Sequence, residues 1–147
     1  MIWVINTDMI EPFRAHYEFD SNIRYIFMSE QFFTQAIPEI SVKQLENLLK
    51  TVPETDLQLI DVREPQEIEM AKIEGFINYP LSQYSAWSDQ ILVQLDPHQE
   101  TLILCHHGMR SAQMCQWLIQ KGFTQVKNIN GGIDAYSVLV DSQIPRY

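Results

Sequence analysis

Apolar residues recur with two different spacings from residue 38 onward, and these spacings predict alternating helices and strands. Ser41 can cap a helix whose apolar residues share one face (Val42, Leu45, Leu48 and Leu49). The run 57–62 is almost continuously apolar instead, as in a strand buried on both faces. Continued along the chain, these patterns predict helices over 41–51, 64–70, 85–95, 111–121 and 133–140, and strands over 57–62, 77–79, 101–104 and 126–129.

Strands that alternate with helices at short intervals predict an α/β fold with a central, mainly parallel sheet covered by helices on both faces. Ligands of such folds bind at the carboxyl ends of the strands. Cys105 directly follows the predicted strand 101–104. We therefore expect Cys105 to lie at the edge of the sheet where ligands bind.

Residues 1–36 differ from the rest of the chain. Eight of the 16 aromatic residues lie within positions 1–33, without a sustained period of 2 or 3.6, and all five glycines follow position 74. We predict an amino-terminal extension over 1–36 and one folded domain over 37–147. The extension is either disordered or packed through its aromatic rings on the domain or on another chain. Met28 is an alternative translation start.

Charge and hydropathy exclude several classes of partner. The 147 residues include 10 Lys plus Arg and 19 Asp plus Glu, and the net charge of −9 opposes binding to nucleic acid or an anionic membrane. No apolar run approaches the ~20 residues of a membrane span, and the amino terminus lacks the features of a signal peptide. We therefore expect a soluble, cytoplasmic protein that binds neither nucleic acid nor membrane.

The two cysteines are predicted to have different roles. They are too few for a disulfide framework and lack C-x-x-C spacing, so neither a structural zinc site nor a dithiol motif is expected. Cys115 shares a helix face with Leu118 and Ile119, which predicts packing in the core. His16 and His98 are too distant in sequence to complete a metal site with the histidines near Cys105, and no metal is expected.

The loop that follows Cys105 has the properties of a nucleophile's binding site. Cys105 lies between a buried strand and a predicted helix amino terminus at Ser111, where free backbone N–H groups and the helix dipole favour an anion. Arg110 adds a full positive charge, and Gly108 can adopt the positive φ that lets the backbone curl around the sulfur. These surroundings favour the thiolate and would also bind an anionic substrate.

The pattern Cys105-x-x-Gly108-x-Arg110-Ser111 resembles the active-site loop of the rhodanese family of sulfurtransferases. Two further stretches are similar to the family's characteristic segments: 59–65 together with Glu67, and 130–136 with its Gly-Gly pair, where Tyr136 stands in place of the usual tryptophan. The resemblance spans residues 38–147 and implies a three-layer rhodanese-like domain. The chain departs from the family at Ala71-Lys72, where Gly-His is common, which affects local packing and not the nucleophile.

The resemblance implies an activity and a set of site residues. Cys105 would take a sulfane sulfur from thiosulfate or a persulfide donor as a persulfide, and would pass it to cyanide, a small thiol or a protein cysteine, without a metal or organic cofactor. The loop residues are expected to bind substrate (His106, His107, Gly108, Met109 and Arg110). Asp61, Arg63 and Ser111 are expected to support the loop. The acidic residues from Glu64 to Glu74 are predicted to form a solvated face.

Two alternatives remain open. Related Cys-loop phosphatases and arsenate reductases have five residues between cysteine and arginine, whereas four separate Cys105 from Arg110, and the smaller loop favours sulfur over phosphate. A non-enzymatic rhodanese-like domain that binds a partner is the other alternative. The presence of Cys105, Gly108 and Arg110 together favours an enzyme.

Overall fold

Five short strands form one sheet in which every neighbouring pair is parallel. They are β1 Glu39–Ser41, β2 Leu57–Asp61, β3 Ile77–Asn78, β4 Glu100–Leu104 and β5 Val126–Asn130. In the computed structural model of the chain, the strand order β1-β5-β4-β2-β3 places β4 at the centre. The predicted α/β class with a parallel sheet is confirmed.

Within residues 36–147, five α-helices connect or follow the strands: α1 Val42–Thr51, α2 Pro65–Met70, α3 Tyr84–Gln94, α4 Met109–Gln120 and α5 Gly132–Leu139. Two short 3₁₀ helices, Glu54–Asp56 and Leu81–Gln83, precede β2 and α3. Ser41 caps α1 as predicted, because its Oγ accepts the N–H of Gln44 at 3.2 Å while the Gln44 side chain accepts the N–H of Ser41 at 2.8 Å.

The structure differs from the predicted elements in two places. Strand β1 was not predicted, because it is only three residues long and pairs with β5 alone. Helix α4 begins at Met109 with Gly108 as its N-cap, so the prediction that Ser111 caps this helix is wrong. Ser111 instead lies inside the first turn and is fully buried.

The core lies in two layers, one on each face of the sheet. One layer packs α3 and α4 against the sheet through Trp87, Ile91, Met114 and Leu118, and the other packs α1 and α5 through Val42, Leu45, Ile133 and Tyr136. Successive residues of β4 alternate between the layers, since Leu102 and Leu104 face the second and Ile103 the first. The covered sheet places the loop after β4 between the ends of β2 and β5.

The structure describes residues 36–147, and residues 37–147 form one compact unit. Apart from residue 36, the predicted extension over 1–36 and the alternative start at Met28 lie outside the described residues. The domain boundary therefore stays a prediction. Within the described part of the chain, no helix combines the length and apolar character required to cross a membrane.

Candidate active site

The sulfur of Cys105 lies in a small polar cradle at the carboxyl end of the central strand. Cys105 follows β4 directly and is only 1% exposed. The backbone N–H of Gly108 donates to its Sγ at 3.0 Å, and the Ser111 hydroxyl lies 3.1 Å from the same atom. The sulfur is thus shielded from bulk water and held by polar groups from two positions of the loop.

The backbone of the loop turns through Gly108, whose φ of 102° confirms the predicted left-handed conformation. This conformation directs the Gly108 N–H at the sulfur and starts α4 at the next residue. The first N–H groups of a helix have no acceptors within the helix, and they carry the positive end of its dipole. The amino terminus of α4 therefore favours negative charge close to Cys105.

The Ser111 hydroxyl belongs to a buried hydrogen-bond chain that sequence analysis missed. It donates to Asn128 Oδ1 at 2.6 Å, because the Asn128 amide group already donates to Glu39 Oε1 at 3.0 Å and to the Gly108 carbonyl at 3.1 Å. While Cys105 is a thiol, its S–H can donate to Ser111 Oγ; once it is a thiolate, the hydroxyl can turn and donate to the sulfur. Asn128 thus orients the hydroxyl and anchors the loop.

The start of α5 fixes the first two carbonyl groups of the loop. The N–H of Ile133 donates to the Cys105 carbonyl at 2.9 Å, and that of Asp134 donates to the His106 carbonyl at 3.1 Å. Gly132 permits this approach, because a Cβ atom there would overlap both carbonyl groups, and its φ is 60°. The Gly-Gly turn is therefore needed for the loop to dock on α5.

Arg110 forms a bidentate ion pair with Glu67. Its Nη1 and Nη2 atoms donate to the two carboxylate oxygens, each at 2.7 Å. These hydrogen bonds lower the pKa of Glu67 to about 2 and raise that of Arg110. Glu64 also has partners, since its carboxylate accepts the Ser82 hydroxyl at 2.5 Å. The prediction that both glutamates belong to a solvated acidic face is therefore wrong.

Asp61 and Arg63 form a buried ion pair beneath the loop. Arg63 is 0% exposed and donates to both Asp61 oxygens, the shortest contact being 2.6 Å from Nη2 to Oδ2. Its Nη2 also donates to the Ala71 carbonyl at 2.9 Å, and its Nη1 donates to the Tyr147 hydroxyl at 2.7 Å. Because Tyr147 donates in turn to Glu67 at 3.1 Å, the pair is connected to Arg110.

The remaining predicted loop residues lie on the outer side of the site. The His106 and His107 rings stack with centroids 4.1 Å apart, and burial lowers the pKa of His106, as does neighbouring His107. The His107 side chain is 63% exposed and lies 3.8 Å from Asp134, while Met109 is 78% exposed. The polar contacts of Sγ come from Gly108 and Ser111, and not from the two histidines or Met109.

Cys115 packs in the core, as predicted. It is 0% exposed on the inner face of α4, beside apolar residues such as Met114 and Leu118, and burial raises the pKa of its thiol. Within residues 36–147, no group of three or more His, Cys, Asp or Glu side chains is placed to hold a metal ion.

Two more residues of the site were missed or only partly identified from sequence. Asn128 is a polar residue two positions after Val126, on the same buried face of β5, a signal that could have marked it as a hydrogen-bonding member. Tyr147 lies 80 residues from Glu67 and 84 from Arg63, and no local pattern indicates contacts at such separations.

Comparisons with known proteins agree with this geometry. Residues 41–138 match the family model described as Rhodanese-like domain. The chain is 44% identical over 114 residues to the Rhodanese-like/PpiC domain-containing protein 12, chloroplastic, of Arabidopsis thaliana; the alignment covers 77% of this chain and 38% of that protein. The chain thus spans well under half of that relative.

A smaller relative and a solved structure show the same similarity. Thiosulfate sulfurtransferase GlpE of Vibrio cholerae is 32% identical over 78 residues, which cover 53% of this chain and 70% of that protein. The crystal structure of a rhodanese-like domain protein from Staphylococcus aureus superposes with a TM-score of 0.61 at 23% identity, covering 76% of this chain and 99% of the other, and shows the shared fold. The chain belongs to the rhodanese-like domain family.

Proposed function

We propose that this protein is a sulfurtransferase that carries a sulfane sulfur on Cys105. The observation that carries the proposal is the cradle of Cys105, in which Sγ receives the Gly108 N–H at 3.0 Å and lies 3.1 Å from the Ser111 hydroxyl. Activated cysteines lie at positions of this kind, next to a helix amino terminus and hydrogen-bond donors. The relatives named as sulfurtransferases support the same activity.

In the first half-reaction the Cys105 thiolate attacks the outer sulfur of thiosulfate or of a persulfide. A new S–S bond forms to Sγ, and the bond between the outer sulfur and the rest of the donor breaks. Its electron pair leaves with sulfite or with the donor thiolate. The thiol proton leaves before this attack, and the Ser111 hydroxyl can then turn and donate to the thiolate.

In the second half-reaction a thiophilic acceptor attacks the terminal sulfur. The acceptor is cyanide, a small thiol or a protein cysteine. The electron pair of the S–S bond returns to Cys105 as the thiolate, and the product is thiocyanate or a new persulfide. The amino terminus of α4 and the Gly108 N–H favour the negative charge that develops on sulfur in both steps.

Arg110 contributes to this site through the position of the loop. Its guanidinium group is held by both oxygens of Glu67 at 2.7 Å, so its charge is offset by a carboxylate. A dianionic donor therefore gains less attraction from Arg110 than from an unpaired arginine. The arrangement suits a loop that needs stiffness more than a strong anion trap.

The partners follow from the chemistry. We propose small sulfur donors and acceptors, and also a protein that donates a persulfide or accepts the sulfur. A cytoplasmic location remains our prediction, and the word chloroplastic in the name of the Arabidopsis relative makes the compartment a point to test.

Intact-protein mass spectrometry tests the proposal. Wild type is incubated with thiosulfate and then with cyanide, in parallel with Cys105→Ser and the matched control Cys115→Ala. We expect wild type and Cys115→Ala to gain one sulfur, and to lose it to cyanide as thiocyanate appears. Cys105→Ser is expected to gain none, because its hydroxyl cannot form the persulfide.

Sulfur gain by Cys105→Ser would contradict the assignment of the nucleophile. If no protein gains sulfur from thiosulfate, the incubation is repeated with a cysteine desulfurase and cysteine as the persulfide source. Loading in that arm alone would support a protein donor. Absence of loading in both arms would support the alternative of a non-enzymatic partner-binding domain.

A further inference from the structure

The segment 141–147, here called the strap, runs from the end of α5 back to the catalytic loop. Its start is anchored by the N–H of Asp141, which donates to the Tyr136 carbonyl at 3.0 Å, and its middle by the Ser137 hydroxyl, which donates to the Ile144 carbonyl at 2.6 Å. Near its end, Arg146 Nε donates to Asp134 Oδ1 at 2.7 Å. The strap is therefore fixed to α5, the helix that binds the loop carbonyls.

The ring of Tyr147 covers the beginning of the loop. It stacks on the His106 ring with a centroid separation of 4.4 Å and an angle of 10°, and His106 stacks on His107 on its other side. His106 directly follows Cys105 in the chain. A displacement of Tyr147 therefore removes a contact from the residue adjacent to the nucleophile.

The hydroxyl of Tyr147 holds the other end of the loop through Glu67. It accepts a hydrogen bond from Arg63 Nη1 at 2.7 Å and donates one to Glu67 Oε1 at 3.1 Å. Glu67 in turn holds Arg110 with two hydrogen bonds of 2.7 Å. Because Arg63 is completely buried and paired with Asp61, the tyrosine is tied to a rigid group beneath the site.

We propose that Tyr147 is a positioning residue that keeps the catalytic loop closed around Cys105. One side chain contacts both ends of the loop, His106 by stacking and Arg110 through Glu67, and connects both to the buried Arg63. The closed loop keeps the Gly108 N–H and the Ser111 hydroxyl directed at a sulfur that is 1% exposed. The benefit to sulfur transfer rests on the function proposed above, whereas the closure itself does not.

Alkylation by iodoacetamide measures the closure directly, and Cys115 serves as an internal reporter of unfolding. Trypsin cleaves after Arg110, so Cys105 and Cys115 fall in separate peptides, 73–110 and 111–121. The alkylation rate of each cysteine is measured in wild type, Tyr147→Phe and Tyr147→Leu. The control is Tyr84→Leu, which removes a tyrosine of similar exposure, 44% against 37%, that packs edge-to-face against Trp87 and Trp117.

We expect Tyr147→Leu to raise the alkylation rate of Cys105 on the order of tenfold, the size of effect that follows from losing hydrogen bonds to charged groups. Cys115 should stay protected, since the core is intact. Tyr147→Phe keeps the stack on His106 and loses only the hydroxyl, so its rate should fall between those of wild type and Tyr147→Leu. Tyr84→Leu should leave the Cys105 rate unchanged.

An unchanged Cys105 rate in Tyr147→Leu, or a parallel rise at Cys105 and Cys115, would overturn the proposal. Single-turnover sulfur gain from thiosulfate is measured in the same proteins and is expected to slow on the order of tenfold in Tyr147→Leu. If wild type gains no sulfur from any donor, the proposed function fails while the alkylation rates still decide the role of Tyr147. If wild type gains sulfur and the alkylation rates do not change, only the positioning role fails.

Discussion

Cys105 and Cys115 lie ten positions apart in the same layer of the core and are equally buried, at 1% and 0% exposure, yet the groups next to their sulfur atoms differ. The sulfur of Cys105 contacts a backbone N–H and a hydroxyl, at the amino terminus of a helix. Cys115 packs among apolar side chains on the inner face of the same helix, and burial raises the pKa of its thiol. Burial alone therefore does not determine the chemistry of a cysteine; the polar groups that burial brings to the sulfur do.

The polar surroundings of Cys105 depend on groups from every part of the fold. The Asp61–Arg63 pair lies at the end of β2, Asn128 lies on β5, and the Gly-Gly pair begins α5. The apolar surroundings of Cys115 come from the ordinary packing of α4 on the sheet. Substitutions that disturb only the polar groups around Cys105 should therefore change the reactivity of Cys105 and leave that of Cys115 unchanged.

The largest effect is expected from Arg63→Met, which leaves Asp61 buried without its partner. Removal of one member of a buried ion pair costs about 3–5 kcal/mol, and the Ala71 carbonyl and the Tyr147 hydroxyl lose donors as well. Urea unfolding measures the loss of stability. The matched control is Lys127→Met, which removes a partly exposed ion pair with Glu100 and should cost no more than ~1 kcal/mol. Equal losses in the two variants would contradict the role of the buried pair.

Gly132→Ala should have the next largest effect and should break the loop specifically. A Cβ atom at this position would overlap the carbonyl groups of Cys105 and His106, and we expect a loss of about 2–4 kcal/mol together with the loss of sulfur loading. Gly122→Ala is the matched control, because Gly122 also has a positive φ, 96°, but no atom within 4 Å of the added Cβ. Gly122→Ala should lower the melting temperature less and keep sulfur loading at Cys105. Loading by Gly132→Ala at the wild-type rate would contradict the docking of the loop on α5.

Asn128→Leu tests the series of hydrogen bonds that runs from Glu39 through Asn128 and Ser111 to the sulfur, and it should change stability less. The Ser111 hydroxyl loses its acceptor and the Gly108 carbonyl loses a donor, which together cost about 1–3 kcal/mol. We expect single-turnover sulfur loading of Cys105 to slow, while Cys115 stays protected from iodoacetamide. The variant Asn128→Asp keeps an acceptor for Ser111, loses the donor to Gly108 and places a carboxylate beside that of Glu39, so it tests whether the acceptor alone keeps loading fast. Sulfur loading at the wild-type rate in both variants would show that these hydrogen bonds have no part in the reaction.

The smallest effect concerns the ion pair between Glu67 and Arg110 and depends on pH. The pKa of Glu67 is lowered from 4.5 to about 2, chiefly by the hydrogen bonds from Arg110. A lowered folded-state pKa stabilises the protein fully above the unfolded-state value, and the stabilisation is lost as the pH falls from about 4.5 toward 2. The difference in unfolding free energy between wild type and Glu67→Gln should therefore be largest near pH 7 and shrink in this acid range.

Glu74→Gln is the control for that measurement, because the Glu74 side chain is 83% exposed beside Lys72. Its unfolding free energy should follow that of wild type through the same acid range. If the difference in unfolding free energy between wild type and Glu67→Gln stays constant from pH 7 down to the acid limit, the ionised pair of Glu67 and Arg110 does not stabilise the protein.

The elements of the fold could be predicted from sequence because each has a local cause. The apolar period of α4, the Ser41 cap of α1 and the apolar run of β2 all depend on residues within one element. Strand β1 was missed because its three residues, which follow Pro38 and end with the helix cap Ser41, carry no period. This strand forms only through its pairing with β5, which is distant in sequence.

The site could be predicted only in part, for a related physical reason. Cys105 and Gly108 are recognisable because the loop is continuous in sequence. The prediction that Ser111 caps α4 is wrong, although a serine near the start of a helix is usually a cap, because here its hydroxyl contacts the sulfur and Asn128. Glu67 and Tyr147 reach the site through hydrogen bonds across 43 and 84 residues of sequence, and these depend on the tertiary packing.

The most direct test of the difference between the two cysteines uses both in one molecule. Wild type is loaded with sulfur from thiosulfate, the persulfide is trapped with iodoacetamide, and the tryptic peptides 73–110 and 111–121 are compared. We predict that the extra sulfur is found only on the peptide that contains Cys105. Sulfur on the Cys115 peptide, at a level similar to that on the Cys105 peptide, would contradict the claim that the polar cradle makes Cys105 the sulfur carrier.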